Sequence, residues 1–162
     1  MIYEWLVFLH VLSVLLFMAS HGVAISVAFR LKSASSRDAI VAILDVSAAT
    51  LVSMYVMLGL VLLTGITLGA LGNWWGALWF WAALAVLVAI VAAMVPLGAI
   101  PFSRCRQAAG VPYAIKGKWL PPEPMDDGKL RAAVAAVRPD LLAIVGLGGL
   151  AIILWLMMFK PF

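Results

Sequence analysis

The sequence predicts an all-α membrane protein whose four transmembrane helices form an antiparallel bundle, and three observations carry that prediction. Of its 162 residues, 66% are hydrophobic and 11% charged, against about 45–50% and about 25% in soluble domains. The mean hydropathy is +1.15, more apolar side chain than so short a chain can hide from water. Four separate stretches reach the ~20 apolar residues that a bilayer-crossing helix needs. A soluble enzyme, a disordered chain and a DNA-binding domain are thereby excluded. The net charge of +4 does not point to nucleic acid, because the basic residues fall in short links between apolar runs. Their partner is the lipid headgroup layer. A single cysteine, Cys105, rules out an internal disulfide and a thiolate-built metal cluster.

The first span runs from about Tyr3 to Phe29 and the second from about Ala39 to Leu71. The third runs from about Trp74 to Ile100 and the fourth from about Leu141 to Phe159. Each is read as a helix because lipid offers no partner for an unpaired backbone amide. Met1-Ile2-Tyr3-Glu4 lacks a basic n-region and the apolar run behind it is long, so the first span is expected to be retained rather than cleaved. Gly72, Asn73 and Gly76 predict a tight turn that makes spans two and three antiparallel neighbours. Of the 11 lysines and arginines, only Lys160 lies outside the links between spans one and two and between spans three and four. Both links are therefore expected in the cytoplasm and both termini outside, in a bacterial cytoplasmic membrane. Tyr3, Trp5, Trp74, Trp75, Trp79, Trp81 and Trp155 fall at or near the outer ends, as an interfacial belt does.

The long link, Ser103 to Arg138, is expected to be a cytoplasmic loop. Pro112, Pro121, Pro122 and Pro124 break any continuous helix there, and Trp119 beside Lys118 suits the headgroup layer. Gly128 to Arg138 is expected to form a short surface helix with Leu130, Val134 and Val137 on one side. Pro139 and Asp140 suit the first turn of the last span. This loop reads as a solvated connector against anionic lipid or as a docking surface for a partner.

The two histidines, His10 and His21, both lie in the first span. Their spacing leaves a remainder of about 20° around the helix and a rise of about 16.5 Å, so they share a face in opposite leaflets. Ionisable groups at such depth face a bundle interior, a cavity or a partner. Three uses fit. Imidazole ligates haem iron, with Gly22 leaving room for a flat group; imidazole and thioether ligate copper; or each ring packs against a neighbouring helix by a hydrogen bond. On the second span Met57 is expected near the depth of His10, and on the third Met94 near that of His21, as opposite ligands. Asp45 is expected near the depth of His21, or paired with Arg30 or Arg37 at the boundary. Pro96 is expected to disturb the helix beside Met94.

A stripe on the second span, Ser47, Thr50, Met54, Met57, Val61 and Thr64, recurs at intervals of three and four and should point inward. It suits ordinary interhelical contact or, with Tyr55 close by, the lining of a quinone pocket. No Ser-His-Asp set, phosphate-binding glycine loop or HExxH motif occurs. Cys105, between Arg104 and Arg106, reads as a boundary residue, with lipidation as its functional alternative.

The opening Trp5-Leu-Val-Phe-Leu-His10 followed by Ala19-Ser-His21-Gly22 resembles the DUF2269 group of small bacterial integral membrane proteins. Ser53-Met-Tyr55-Val, Thr64-Gly65-Ile and Asn73-Trp-Trp-Gly76 resemble the later spans of that group. More distantly, the histidine of the Leu-His-Val start is similar to that of CopD-like copper-resistance proteins and HemJ-type haem proteins. The resemblance implies a four-helix bundle with haem or copper at His10. The second span, however, carries no basic residue to stand opposite it as in the HemJ type. The reading that results is a small b-type haem protein for electron transfer, with His10 and His21 as iron ligands and Met57 and Met94 opposite. In a homodimeric variant, matching histidines clamp each haem. A non-catalytic accessory subunit of a larger membrane complex and a copper-handling protein are the alternatives.

Overall fold

The computed structural model describes all 162 residues. Helices α1 (Ile2–Ser33), α2 (Arg37–Leu71) and α3 (Leu78–Ala108) come first. A hairpin of β1 (Tyr113–Ile115) and β2 (Lys118–Leu120) and a short helix α4 (Asp127–Ala136) follow. Helix α5 (Pro139–Phe159) closes the chain. Helices α1, α2, α3 and α5 are each long and apolar enough to cross a membrane.

Local chemistry sets the boundaries. The Ser36 hydroxyl accepts the Ala39 N–H at 3.2 Å and starts α2, while the Asp126 carboxylate accepts the Lys129 N–H at 2.9 Å and starts α4. Asn73 turns the chain at φ 54°. Trp74–Gly76 then makes a separate 3₁₀ turn, so α3 begins at Leu78 rather than at Trp74. Helix α3 also outlasts its expected end at Ile100, continuing through Pro101 to Ala108. Pro96 brings no N–H to the ladder, and the backbone widens into a π turn over Val95–Ala99 instead of breaking. A second π turn, Ile144–Gly148, interrupts α5.

The connector is more ordered than its prolines suggest. Lys116 and Gly117, at φ 49° and 79°, join β1 and β2 with Tyr113 opposite Leu120 and Ile115 opposite Lys118. Two positive φ values in a two-residue hairpin loop match the twist of the strands. Lysine is an uncommon choice there, which hid the hairpin from sequence inspection.

The best-packed core lies at the end of the molecule that holds the links, where Leu31, Leu44, Cys105 and Val137 are almost wholly buried with Leu130 of α4. Burial leaves Cys105 with no exposed thiol for lipidation. Basic side chains bind this end together. Arg106 pairs with Asp45 of α2 at 2.8 Å, donates to the Pro112 carbonyl at 2.6 Å and lies over the Trp119 ring. Asp45 thus pairs with Arg106, not with Arg30 or Arg37. Lys32 donates to the Ala135 carbonyl at 2.6 Å and Arg37 to the Ala109 carbonyl at 3.0 Å, two cations placed at helix C-termini where the backbone dipoles favour them.

At the opposite end, Trp74 packs on Trp79 at 5.1 Å and Trp75 on Trp81 at 5.9 Å. The Trp81 indole donates to the Trp75 carbonyl at 2.8 Å. Lys160 lies over both Trp74 and Trp79, 5.0 and 5.3 Å from their centroids, a favourable cation–aromatic arrangement.

Candidate functional site

His10 meets α2. Its Nδ1 lies 2.8 Å from the Thr64 hydroxyl, and Gly65 lets the ring approach, since a Cβ there would come within 3.1 Å of its Cε1. The Thr64 hydroxyl has one proton and can donate it to the Leu60 carbonyl at 2.6 Å. With that proton on the Leu60 carbonyl, the hydroxyl oxygen accepts from a hydrogen on His10 Nδ1 and the lone pair of Nε2 is left free; with the proton directed at Nδ1 the tautomer is the reverse. Nε2 makes no hydrogen bond. The ring forms part of the wall of a cavity of ≈ 300 Å³ between α1, α2, α3 and α5. The wall is almost wholly apolar, with Val61, Phe80 and Leu87 on one side and the thioethers Met18, Met157 and Met158 also lining it. Leu15 and Leu154, which line the cavity as well, are exposed on the outside of the helices.

His21 is placed differently. It is 4% exposed and stacks on Phe17 at 6.3 Å with 16° between the rings. Its Nε2 has no hydrogen-bond partner. A Cβ at Gly146 would fall 2.7 and 2.8 Å from its Cδ2 and Cε1 and closer still to Nε2. The coordinating edge of the ring thus presses on the bare backbone of the π turn in α5. Ligation of haem iron needs an open lone pair above a flat group, and no such space exists at His21. Here the ring acts as a packing knob, and the small residue opposite it is what lets two helices approach closely.

The two expected methionines are not in the cavity. His10 meets Thr64 and Ser20 meets Ser53 at 3.3 Å, so numbers rise along α1 as they fall along α2. That register puts Met57 at the level of Phe17, about 10 Å along the helix from Thr64, and Asp45 near Phe29 instead of His21. On the other side of the molecule Gly98 packs near Leu142 and Gly149 against Ile90. Met94 therefore falls near the level of Gly146, and so of His21, whose coordinating edge is already covered. The thioethers that share a cavity with His10 are Met18, Met157 and Met158. Residues distant in sequence had to be brought together by packing before that set was visible. The only earlier signal was the run Met157-Met158 at the end of an apolar span.

The stripe on α2 is the packed side of its helix: Ser47, Thr50, Met54, Met57 and Val61 are half-buried and Thr64 is buried. Tyr55 is 56% exposed and lies off that side. The Thr50 hydroxyl is satisfied by its own helix, through the Val46 and Ser47 carbonyls. Thr64 is the stripe residue whose hydroxyl binds a side chain of another helix.

A polar cluster lies at the basic end. Glu123 accepts from the Tyr113 hydroxyl and from the Gln107 amide at 3.0 Å. Those bonds hold its carboxyl below the ordinary range, and the same Tyr113 bond, with the nearby negative charge, pushes the phenol up. Asp126 is lowered by the backbone N–H of Lys129. Grouped metal-ligating side chains of the kind that hold an ion without a macrocycle are absent.

No protein-family model, curated protein or solved structure matches the chain.

Proposed function

We propose that this chain is a multi-pass protein of the bacterial cytoplasmic membrane, an antiparallel four-helix bundle with both termini outside, that holds one b-type haem at His10 for electron transfer. One observation carries the reading: an imidazole fixed by Thr64 with its Nε2 lone pair free, in the wall of an apolar cavity that also contains thioethers. A histidine whose far nitrogen is held by a hydrogen bond is the form that binds iron best. The cavity beside His10, of ≈ 300 Å³, lies at the lower end of ligand sites and is smaller than a haem, whose ring would have to extend outward past the exposed Leu15 and Leu154.

Thr64 holds the His10 ring in one tautomer and one orientation. Phe80, Leu87 and Val61 keep water from the wall, and Met18 or Met157 would offer sulfur as a second ligand. A haem bound there supplies a one-electron iron couple. His21 takes no part in ligation.

Detergent-purified protein from haem-replete cells is expected to show a reduced-minus-oxidised α band of the b type. His10→Ala should abolish it, and His21→Ala should leave its position unchanged. A colourless, metal-free protein overturns the cofactor reading and leaves an accessory subunit. Copper(I) is the second reading, favoured by the three thioethers at the cavity, and metal analysis of the same sample separates it from haem.

A further inference from the structure

The basic end carries a second cavity, of ≈ 480 Å³, between the last turns of α3 and one side of α4. Its floor is made of small residues, Ala108, Ala132, Ala133 and Ala136, so no side chain fills it. Its polar wall consists of Arg104, Gln107, Glu123, Asp126 and Lys129. Four of these five already have protein partners. Glu123 accepts from Tyr113 and Gln107, and Asp126 accepts the Lys129 N–H at 2.9 Å. The Lys129 ammonium lies 3.4 Å from Asp126 in an exposed pair, which is weak and easily exchanged for another anion. Arg104 alone makes neither a hydrogen bond nor an ion pair. Both carboxylates keep their charge with acceptor oxygens already engaged, Glu123 by two neutral donors and Asp126 by Lys129, while one guanidinium is free beside a second cation.

We infer that this alanine-floored cleft is a binding site for a phosphate group, with Arg104 as its fork-shaped donor and Lys129 as a second cation. Guanidinium matches phosphate through paired N–H donors. The placement agrees with a lipid source: the cleft lies at the end of α3, a helix long enough to cross a membrane, where the phosphodiester layer of anionic phospholipid would lie. Pro101 and Pro124 close its sides with apolar surface that a glycerol backbone can rest against. The inference rests on the membrane-spanning reading and is independent of any cofactor at His10.

The test is calorimetric titration of the full-length protein in zwitterionic detergent with dihexanoyl phosphatidylglycerol and, separately, with inorganic phosphate. Saturable binding is expected. Arg104→Gln should weaken it tenfold or more, as loss of a charge-assisted contact does. Ala132→Leu, which fills the cleft from an exposed position, should weaken it comparably. Arg131→Gln, a cation on the same helix outside the cleft, should change it by less than twofold. All three single variants alter exposed residues, so their melting temperatures without ligand should match the wild type. Binding of the lipid alone identifies a headgroup site, and equal binding of inorganic phosphate identifies a soluble phosphate site; either supports the cleft. Binding that Arg104→Gln leaves intact, or that Arg131→Gln weakens equally, overturns it.

Discussion

His10 and His21 share a side of one helix and meet opposite surroundings. Around His10 the packing is loose: the ring touches Thr64 and Gly65 on one edge and borders an apolar cavity. Around His21 the packing is tight, with Phe17 on its flat side and the Gly146 backbone against its free nitrogen. The difference teaches that depth and helical phase do not decide whether a buried imidazole is available. What decides it is the neighbouring helix. At His10 the facing helix presents a hydroxyl that fixes one nitrogen and frees the other, whereas at His21 it presents a glycine that admits the whole ring and closes over it.

The sharpest way to break that contrast is at Gly146. Gly146→Ala should destabilise the protein by about 3 kcal/mol, the upper end of the overpacking range, read as a lowered melting temperature in detergent. The double variant His21→Ala/Gly146→Ala should recover part of that loss, because residues in contact are not additive. Equal loss in the single and double variants would show that the two groups do not touch.

Arg106→Gln comes next, at about 2 kcal/mol, because it removes the bonds to Asp45 and Pro112 together. Its effect should be confined to the basic end. Faster amide exchange in the hairpin and α4, with the region around His10 unchanged, is the expected pattern. Thr64→Val should be milder, about 1 kcal/mol, yet it acts on the His10 side alone. If a cofactor is bound, its visible spectrum or potential should shift with Thr64→Val and not with Gly146→Ala.

The smallest effect is a pH dependence at the surface. Glu123 has its folded pKa below the ordinary 4.5. Its contribution is therefore present above that value and is lost as pH falls through the depressed one. Tyr113 is raised above 10.0, so its share is present below pH 10 and lost as pH rises through the raised value. Melting curves of Tyr113→Phe against wild type should converge as the pH is lowered below about 4. Curves that stay parallel would sever Glu123 from this network.

Much of the architecture was legible along the chain. Apolar runs of sufficient length, lysines and arginines gathered in two links, and tryptophans gathered at the other ends require no knowledge of neighbours. They depend on composition and on the rule that a backbone in lipid must satisfy itself. The surface helix with Leu130 and Val134 on its packed side was legible for the same reason, since periodicity is local, although it ends at Ala136 and Val137 follows it in extended backbone. Less local features escaped. The hairpin over Lys116 and Gly117 depends on a lysine in a conformation it seldom adopts, and the extension of α3 to Ala108 depends on a π turn that absorbs Pro96.

The ligand set shows the limit most clearly. Counting residues from the membrane boundary puts Met57 beside His10, but the contact between His10 and Thr64 sets α2 about two turns away from that register. Periodicity alone thus determined that His10 and His21 lie on one side of one helix. Only the packed structure decided that His10 faces a cavity with Met18 and Met157 while His21 is sealed by Gly146. The physical reason is that helical phase is a property of one segment, whereas the register between segments is set by which small residue admits which large one.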